Sequence, residues 1–449
     1  RGPWRGPEAR VKLPAGDGPA LEEAVLDALQ DRRDDDRLRL AVVLQAGPQQ
    51  VKARLASGEL VTVQGEGLRQ ARAGLQAKAR PEHKVDRGAV VRLTRQGKAW
   101  AITQWPEAEA ALVALDPDTG RVRALVGSFD FTRQPFNHVT QAWRQPGSAL
   151  KPLLYSAALE SRIMPGTRVD DRPFTAANGW SPGNSGGQML DAPVSVREAL
   201  ARSSNLVSVR LLQESGTERA RQWLGRFGLE PQRQPDNLTL ALGTGQVTPM
   251  QMARAYATLA NGGWLPDVVV VEKIIDAQGQ VLFEAPPPAL RSDDNRAIAA
   301  RNAWLSADML SGVTRSGTAA SVQQRLERPD LYGKTGTTDN AFDAWFAGFH
   351  PSLAAVVWVG HGTPRSLGPQ ESGARTALPI WTDFMARALK GVPVASPGPP
   401  PAGLARSGED WIYSEWAEGG WITGITDEHG VELAGPPTLI DFLRELFRP

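Results

Sequence analysis

A serine and a lysine stand one helical turn apart at Ser148 and Lys151, in the run Pro146-Gly147-Ser148-Ala149-Leu150-Lys151. A hydroxyl and an amine at that spacing share one helix face, so the amine can take the proton that keeps the hydroxyl from acting as a nucleophile. Lysine is the type this chemistry needs. Arginine keeps its proton inside proteins, whereas a desolvated lysine can become a general base. An ordinary lysine near 10.4 must fall by about 3 units, roughly 4 kcal/mol, to work as a base at neutral pH, and burial beside a second cation supplies a shift of that size. The chain has nine lysines, and only Lys151, Lys273 and Lys334 lie between Ala99 and Leu389.

Two further clusters hold complementary groups: Ser203-Ser204-Asn205, and Lys334-Thr335-Gly336-Thr337. Taken singly, each has a plainer reading. Ser148 caps a helix that carries a surface lysine, Ser203 to Asn205 form a capping loop, and Lys334 to Gly336 form a turn. Taken together, in the order S-x-x-K, S-x-N, K-T-G, they supply a nucleophile, its base, a second hydroxyl, a polar amide and a second cation.

The elements that must position these groups are legible around them. Pro-Gly breaks the chain before Ser148, and Leu150, Leu153, Leu154, Ala157 and Ala158 follow at helical spacing, so Ser148 falls at a helix start with Pro152 in the first turn. Ser203 to Asn205 separate the helical stretches Val196–Ala201 and Leu206–Glu214, and Lys334 reads as a strand edge where Gly336 lets another backbone approach. Ala111–Leu115 and Arg121–Val126 flank Asp116-Pro117-Asp118-Thr119-Gly120 as a hairpin, and Ala344–Phe349 with Leu353–Val359 flank a second turn. Ser148 to about Glu284 reads as mostly helical, so the fold class is α+β, with terminal strands pairing into one antiparallel sheet. Upstream, Leu21–Leu29 has helical spacing. Leu40–Leu44, Gln50–Leu55, Leu60–Val63, Ala89–Leu93 and Trp100–Gln104 read as strands of a small β-domain.

Composition removes several classes. Fifty basic against 49 acidic residues leave a net charge of +1, unlike a polyanion binder. No cysteine occurs, which excludes disulfides and thiolate chemistry, and the five histidines lack metal-ligand spacing, so no metal or cofactor is expected. No apolar run approaches the ~18 residues of a spanning helix. Gly183-Asn184-Ser185-Gly186-Gly187 fits G-x-S-x-G, but the strand before and helix after that an elbow needs are missing, and it reads as a Gly-rich surface loop. The β-rich segment offers only Trp100 and Trp105 as base-stacking groups, which disfavours a non-enzymatic nucleic-acid OB-fold as the alternative function. A β-lactamase needs a deacylating base such as the glutamate of E-x-x-L-N, and none follows Asn205.

The segments Arg144 to Pro152, Arg202 to Ser208, Gly243 to Met250, and Gly333 to Thr338 followed by Asp343-Ala344-Trp345-Phe346 closely resemble those of class A penicillin-binding proteins. The likeness spans about Ala110 to Lys390, plus the entry Trp4 to Glu8. It implies an antiparallel sheet with helices, as in serine β-lactamase-like transpeptidases, and a small all-β OB-like domain. The expected organisation is an interdomain linker at 1–37, the OB-like domain at 38–106, the transpeptidase domain at 107–392, and a Pro/Gly linker with a C-terminal tail at 393–449, including a short apolar helix near Leu439–Phe447. The resemblance implies that Ser148 attacks the bond between the two terminal D-alanines of a peptidoglycan stem peptide, with Lys151 as base, Ser203 as proton relay and Asn205 positioning Lys151 and the substrate. Lys334, Thr335, Gly336 and Thr337 match the family's carboxylate-binding strand, and the amides of Ser148 and Thr337 its oxyanion hole. The implied partners are stem peptides as donor and as amine acceptor, β-lactam antibiotics, and an outer-membrane or periplasmic activator at the OB-like domain. A D,D-carboxypeptidase and a β-lactam sensor would share the same site. The family's glycan-polymerising motif is absent, and Arg1 opens a Gly/Pro/Arg stretch, so the chain reads as a periplasmic piece of a longer protein anchored in the inner membrane by a segment not included here.

Overall fold

The computed structural model describes residues 2–434 except 36, 133, 177–178, 188, 190–191, 396–397 and 428–429; the apolar helix expected near Leu439–Phe447 lies outside them. The chain divides into two units, Arg1–Glu107 and Ala108–Pro449.

In the first unit, β1 (Ala9–Arg10) and α1 (Pro19–Gln30) precede β2 (Arg39–Ala46), β3 (Gln50–Leu55), β4 (Leu60–Gln64), β5 (Ala89–Gln96) and β6 (Ala99–Thr103). The strand order is β1-β5-β2-β3-β4-β6, and β5 also pairs with β6, which closes β2 to β6 into a barrel. Val43, Val51, Ala53, Val63, Leu93 and Ile102 alternate inward to fill it. Residues 1–37, expected as a linker, are instead part of this unit. Trp4 is buried in the barrel core and donates its indole N–H to His83 O (2.7 Å), β1 extends the sheet at β5, and Leu21, Val25 and Leu29 of α1 pack on Leu40, Val42 and Val90. An apolar stripe of one residue per turn needs such a surface to bury it.

The second unit begins with β7 (Ala108–Leu115), β8 (Val122–Val126), α2 (Lys151–Leu159), β9 (Ile163–Val169) and β10 (Val194–Ser195). Helices α3 (Val196–Arg202), α4 (Asn205–Ser215), α5 (Thr217–Arg226) and α6 (Pro249–Ala260) follow, then an exposed hairpin of β11 (Lys273–Ile275) and β12 (Val281–Glu284). After α7 (Ala300–Arg315) and α8 (Ala320–Leu326) come β13 (Tyr332–Thr337), β14 (Asp343–His350) and β15 (Leu353–His361), and then α9 (Leu378–Ala388). The last elements are β16 (Leu404–Ser407), β17 (Asp410–Tyr413), β18 (Ile422–Thr426) and β19 (Gly430–Leu433).

The central sheet has the order β13-β14-β15-β7-β8, with antiparallel neighbours throughout, so strands from both ends of the domain meet in its middle. Every residue of β14 is buried, as expected where helices cover both faces. The described residues of the tail expected beyond 393 fold into this unit: β18 runs parallel to β9, Ile412, Tyr413, Ile422 and Ile425 join the main core, and Trp411, Trp416 and Trp421 pack on it. The region read as mostly helical therefore contains a strand, β9, whose partner lies near the chain's far end. Among the described residues no helix is long and apolar enough to cross a membrane.

Candidate active site

Gly147 opens a 3-10 turn, Gly147–Leu150, that runs straight into α2. Two aromatic side chains brace this entry: Trp345 donates its indole N–H to Gln145 O (2.8 Å) and Tyr256 its hydroxyl to Ala149 O (2.8 Å). Arg144, just upstream, makes a buried ion pair with Asp343 at the start of β14 (2.7 Å), and Trp358 donates to the same carboxylate oxygen (2.8 Å). The segment that carries Ser148 is thus clamped to the strand pair β13–β14. Close backbone contact requires glycine at Gly336, where a Cβ would lie 2.3 Å from Pro146 O, and at Gly147, with φ +54° and a Cβ 2.7 Å from Thr337 O.

All nine residues of α2 are buried, so Lys151 is fully enclosed. Helix α3 ends at Ser203 in the left-handed conformation (φ +63°), and α4 starts at Asn205 with Ser204 as its cap. That corner wraps the lysine: Nζ donates to Ser203 O (2.8 Å), Ser204 O (3.0 Å) and Asn205 Oδ1 (2.7 Å). Strand β13 brings the second buried lysine, whose Nζ donates to Ser203 Oγ (2.8 Å). Ser203 therefore bridges both lysines, through its carbonyl to Lys151 and its hydroxyl to Lys334. Burial, and then the Lys334 cation, hold Lys151 well below the usual lysine range, while the Asp171 carboxylate pulls the other way. Burial lowers Lys334 to about 7.

Ser148, Ser203, Thr335 and Thr337 all line one cleft of about 960 Å³, with Asn184 and Arg202 among its other walls. Of the residues singled out from sequence, Ser148, Lys151, Ser203, Asn205, Lys334, Thr335, Gly336 and Thr337 converge on it or directly beneath it. Ser148 differs in one respect: the three acceptors of Lys151 Nζ all lie in the 203–205 corner, and the Ser148 hydroxyl is not among them. Asn205 presents its oxygen to Lys151 because its Nδ2 donates to Gly183 O (2.8 Å).

Sequence reasoning missed four contributors. The segment Gly183 to Gly187, read as a surface loop, forms a wall of the cleft; Ser185 lines it too, and among the described residues that line the cleft there is no histidine to serve it as an elbow serine's base. Asp171 is buried beneath the 203–205 corner and takes both Asn184 Nδ2 (2.9 and 3.1 Å) and Ser204 Oγ. Thr318 bonds Thr335, hydroxyl to hydroxyl (2.9 Å), and Gly373 N donates to Thr337 Oγ1 (2.9 Å) from a single π-turn, Gly373–Ala377. Local patterns gave no signal for these.

Residues 110–386 match the family described as penicillin binding protein transpeptidase domain, and residues 4–108 the penicillin-binding protein OB-like domain. Penicillin-binding protein 1A of Neisseria lactamica is 38% identical over 416 residues, covering 91% of this chain and 52% of that protein. Penicillin-binding protein 1A of Pseudomonas aeruginosa is 33% identical over 455 residues, covering 89% and 54%. Among solved structures, penicillin-binding protein 1A from Haemophilus influenzae matches with a TM-score of 0.82 at 28% identity, covering 97% of this chain and 68% of that one. The PonA1 protein of Mycobacterium tuberculosis in complex with penicillin V matches with a TM-score of 0.58 at 30% identity, covering 66% and 82%. The chain spans about half the length of the curated relatives it matches.

Proposed function

The chain belongs to the penicillin-binding protein transpeptidase family, and on that basis we propose that it is a D,D-transpeptidase that cross-links peptidoglycan stem peptides through an acyl-enzyme on Ser148. The observation that carries this reading is the hydrogen-bonded chain from Lys151 through Ser203 to Lys334, buried under a cleft into which Ser148 opens.

In the proposed step Ser148 Oγ bonds to the carbonyl carbon between the terminal D-alanines, and the C–N bond to the last D-Ala breaks. Lys151 takes the serine proton. An ammonium donates three protons and a neutral amine only two, so in the reactive form one of its three contacts is given up and the lone pair turns to Ser148. Ser203 Oγ accepts from Lys334, which leaves its own hydrogen to pass to the departing amine while Lys151 resupplies it. Thr337 Oγ1, accepting from Gly373 N, likewise keeps a hydrogen for the substrate carboxylate, beside the Lys334 cation and Thr335. The Ser148 and Thr337 amides, brought together where Gly147 meets Thr337, would hold the oxyanion, typically worth a few kcal/mol. An amine from a second stem peptide then displaces Ser148 and forms the cross-link. β-Lactams, which mimic the D-Ala-D-Ala unit, would acylate Ser148 and stay; penicillin V in the PonA1 complex is the corresponding ligand of that relative.

We place the protein in the periplasm, tied to the inner membrane through the remainder of a longer chain, and assign the OB-like unit to docking of a protein activator. Trp100 and Trp105 of that unit lie against Arg95 and Arg92, which speaks against an open base-stacking platform and a nucleic-acid partner. The test is to incubate the chain with a pentapeptide donor and an amine acceptor and read products by mass spectrometry. A cross-linked product with release of D-Ala is expected. Tetrapeptide alone would mean a carboxypeptidase, and no turnover despite penicillin acylation would mean a sensor; either result overturns the transpeptidase assignment.

A further inference from the structure

The corner that holds Lys151 is itself held from outside. The first three amides of a helix have no partner within it, and in α4 they are satisfied by a relay that begins at Asp171. The buried carboxylate accepts both contacts of Asn184 Nδ2 (2.9 and 3.1 Å) and the Ser204 hydroxyl. Asn184 Oδ1, fixed in this way, accepts from Asn205 N (2.7 Å) and Leu206 N (3.2 Å), and Ser204 Oγ accepts from Val207 N (3.1 Å). The neighbouring Gly183 O takes Asn205 Nδ2 (2.8 Å), so the oxygen of Asn205, and not its nitrogen, faces Lys151 Nζ. One short loop therefore grips Asn205 by main chain and side chain together.

We propose that Asp171 and Asn184 are positioning residues for the Lys151 base: Asn184 fixes the amide face of Asn205, and Asp171 anchors Asn184 and Ser204. The inference rests on the reading of Ser148 and Lys151 as nucleophile and base. The groups facing Lys151 are the 203–205 corner, Lys334 on β13 and Asp171 after β9; Tyr155, one turn along α2, is held by Ser208 (3.0 Å). Burial, and then Lys334, favour the neutral amine, and Asp171 favours the ammonium. Removing the carboxylate while keeping its shape thus lowers the proton affinity of Lys151, and the pH at which the base becomes neutral falls.

The experiment measures the second-order rate of acylation by a fluorescent penicillin, from acid to alkaline pH, for the unaltered chain and for Asp171→Asn, Asn184→Ala and Ser148→Ala. The fraction labelled at saturation is read in parallel. Asp171→Asn should move the acid limb down by about one pH unit with the labelled fraction unchanged. Asn184→Ala should leave the limb in place and lower the plateau about tenfold, the equivalent of one lost helix cap. A purely structural role would lower the labelled fraction and move neither. Superimposable limbs for Asp171→Asn, or an undiminished plateau for Asn184→Ala, overturn the proposal. If Asp171→Asn does not fold, the plateau of Asn184→Ala decides it alone. Undiminished labelling of Ser148→Ala would overturn the underlying reading and this proposal with it, whereas an unlabelled Ser148→Ala with superimposable limbs overturns this proposal only.

Discussion

Replacing Lys151 by arginine keeps a positive charge at the site and removes its capacity to act as a base, because a guanidinium does not deprotonate in a protein. The native amine is fully buried, with acceptors at 2.7, 2.8 and 3.0 Å. The longer side chain must push α2 or the 203–205 corner aside, at about 1–3 kcal/mol of overpacking. That is within an ordinary folding margin of about 5–15 kcal/mol, so the variant should fold. Loss of the general base removes ~10²–10⁴ in acylation rate, about 3–5 kcal/mol of barrier. Lys151→Met is the companion variant. It keeps the length of the side chain but takes the donor from Ser203 O and Asn205 Oδ1, at about 1–3 kcal/mol for each buried acceptor left unpaired. It should therefore melt lower than the arginine variant and share its rate deficit. The assay is a time course of covalent labelling by fluorescent penicillin, with thermal unfolding followed by circular dichroism on the same samples. An arginine variant that folds and acylates at the native rate would refute the argument that an uncharged amine is required.

Three further outcomes are expected. Asp343→Ala leaves Arg144 buried without its partner and should destabilise the second unit by about 3–5 kcal/mol in denaturant unfolding; a loss below about 1 kcal/mol would mean the pair holds nothing. Gly336→Ala puts a methyl group 2.3 Å from Pro146 O, so β13 must retreat from the turn that carries Ser148, and the acylation rate should fall about tenfold or more; an unchanged rate would show that the contact is slack. Lys334, lowered from 10.5 to about 7 by burial, binds a proton less readily when folded than when unfolded. Unfolding free energy should therefore rise with pH between about 7 and 10.5, and Lys334→Met should flatten that rise; parallel stability curves for the two chains would contradict it.

Much of the site was written locally. Pro146-Gly147 announces the helix start at Ser148, the apolar series from Leu150 to Ala158 shows which way the helix is buried, and Gly336 marks a strand that another backbone must approach. These signals act within a few residues, which is why they can be read without coordinates. The barrel strands were legible for the same reason, since β3 and β4 alternate buried and exposed residues. What escaped is non-local. Asn184 caps α4 from a loop twenty-one positions upstream of Asn205, and a Gly-Asn-Ser-Gly-Gly run has no periodicity to say where it docks. Strand β9 is stabilised by β18, whose residues lie beyond a Pro/Gly stretch that reads as a stop. Residues 1–37 carry one helical stripe and a lone tryptophan, and only the barrel surface and core explain why both are there. Asp171 illustrates the limit most clearly. Its burial makes sense only once Asn184 and Ser204 are seen to supply its donors.

Ser148 is the residue we propose to be acylated. The direct measurement is digestion of the penicillin-labelled chain followed by mass-spectrometric mapping of the adduct. The account predicts a single modified site at Ser148, in the peptide that also contains Lys151. An adduct on Ser185, Ser203 or any other residue, with Ser148 unmodified, would contradict it.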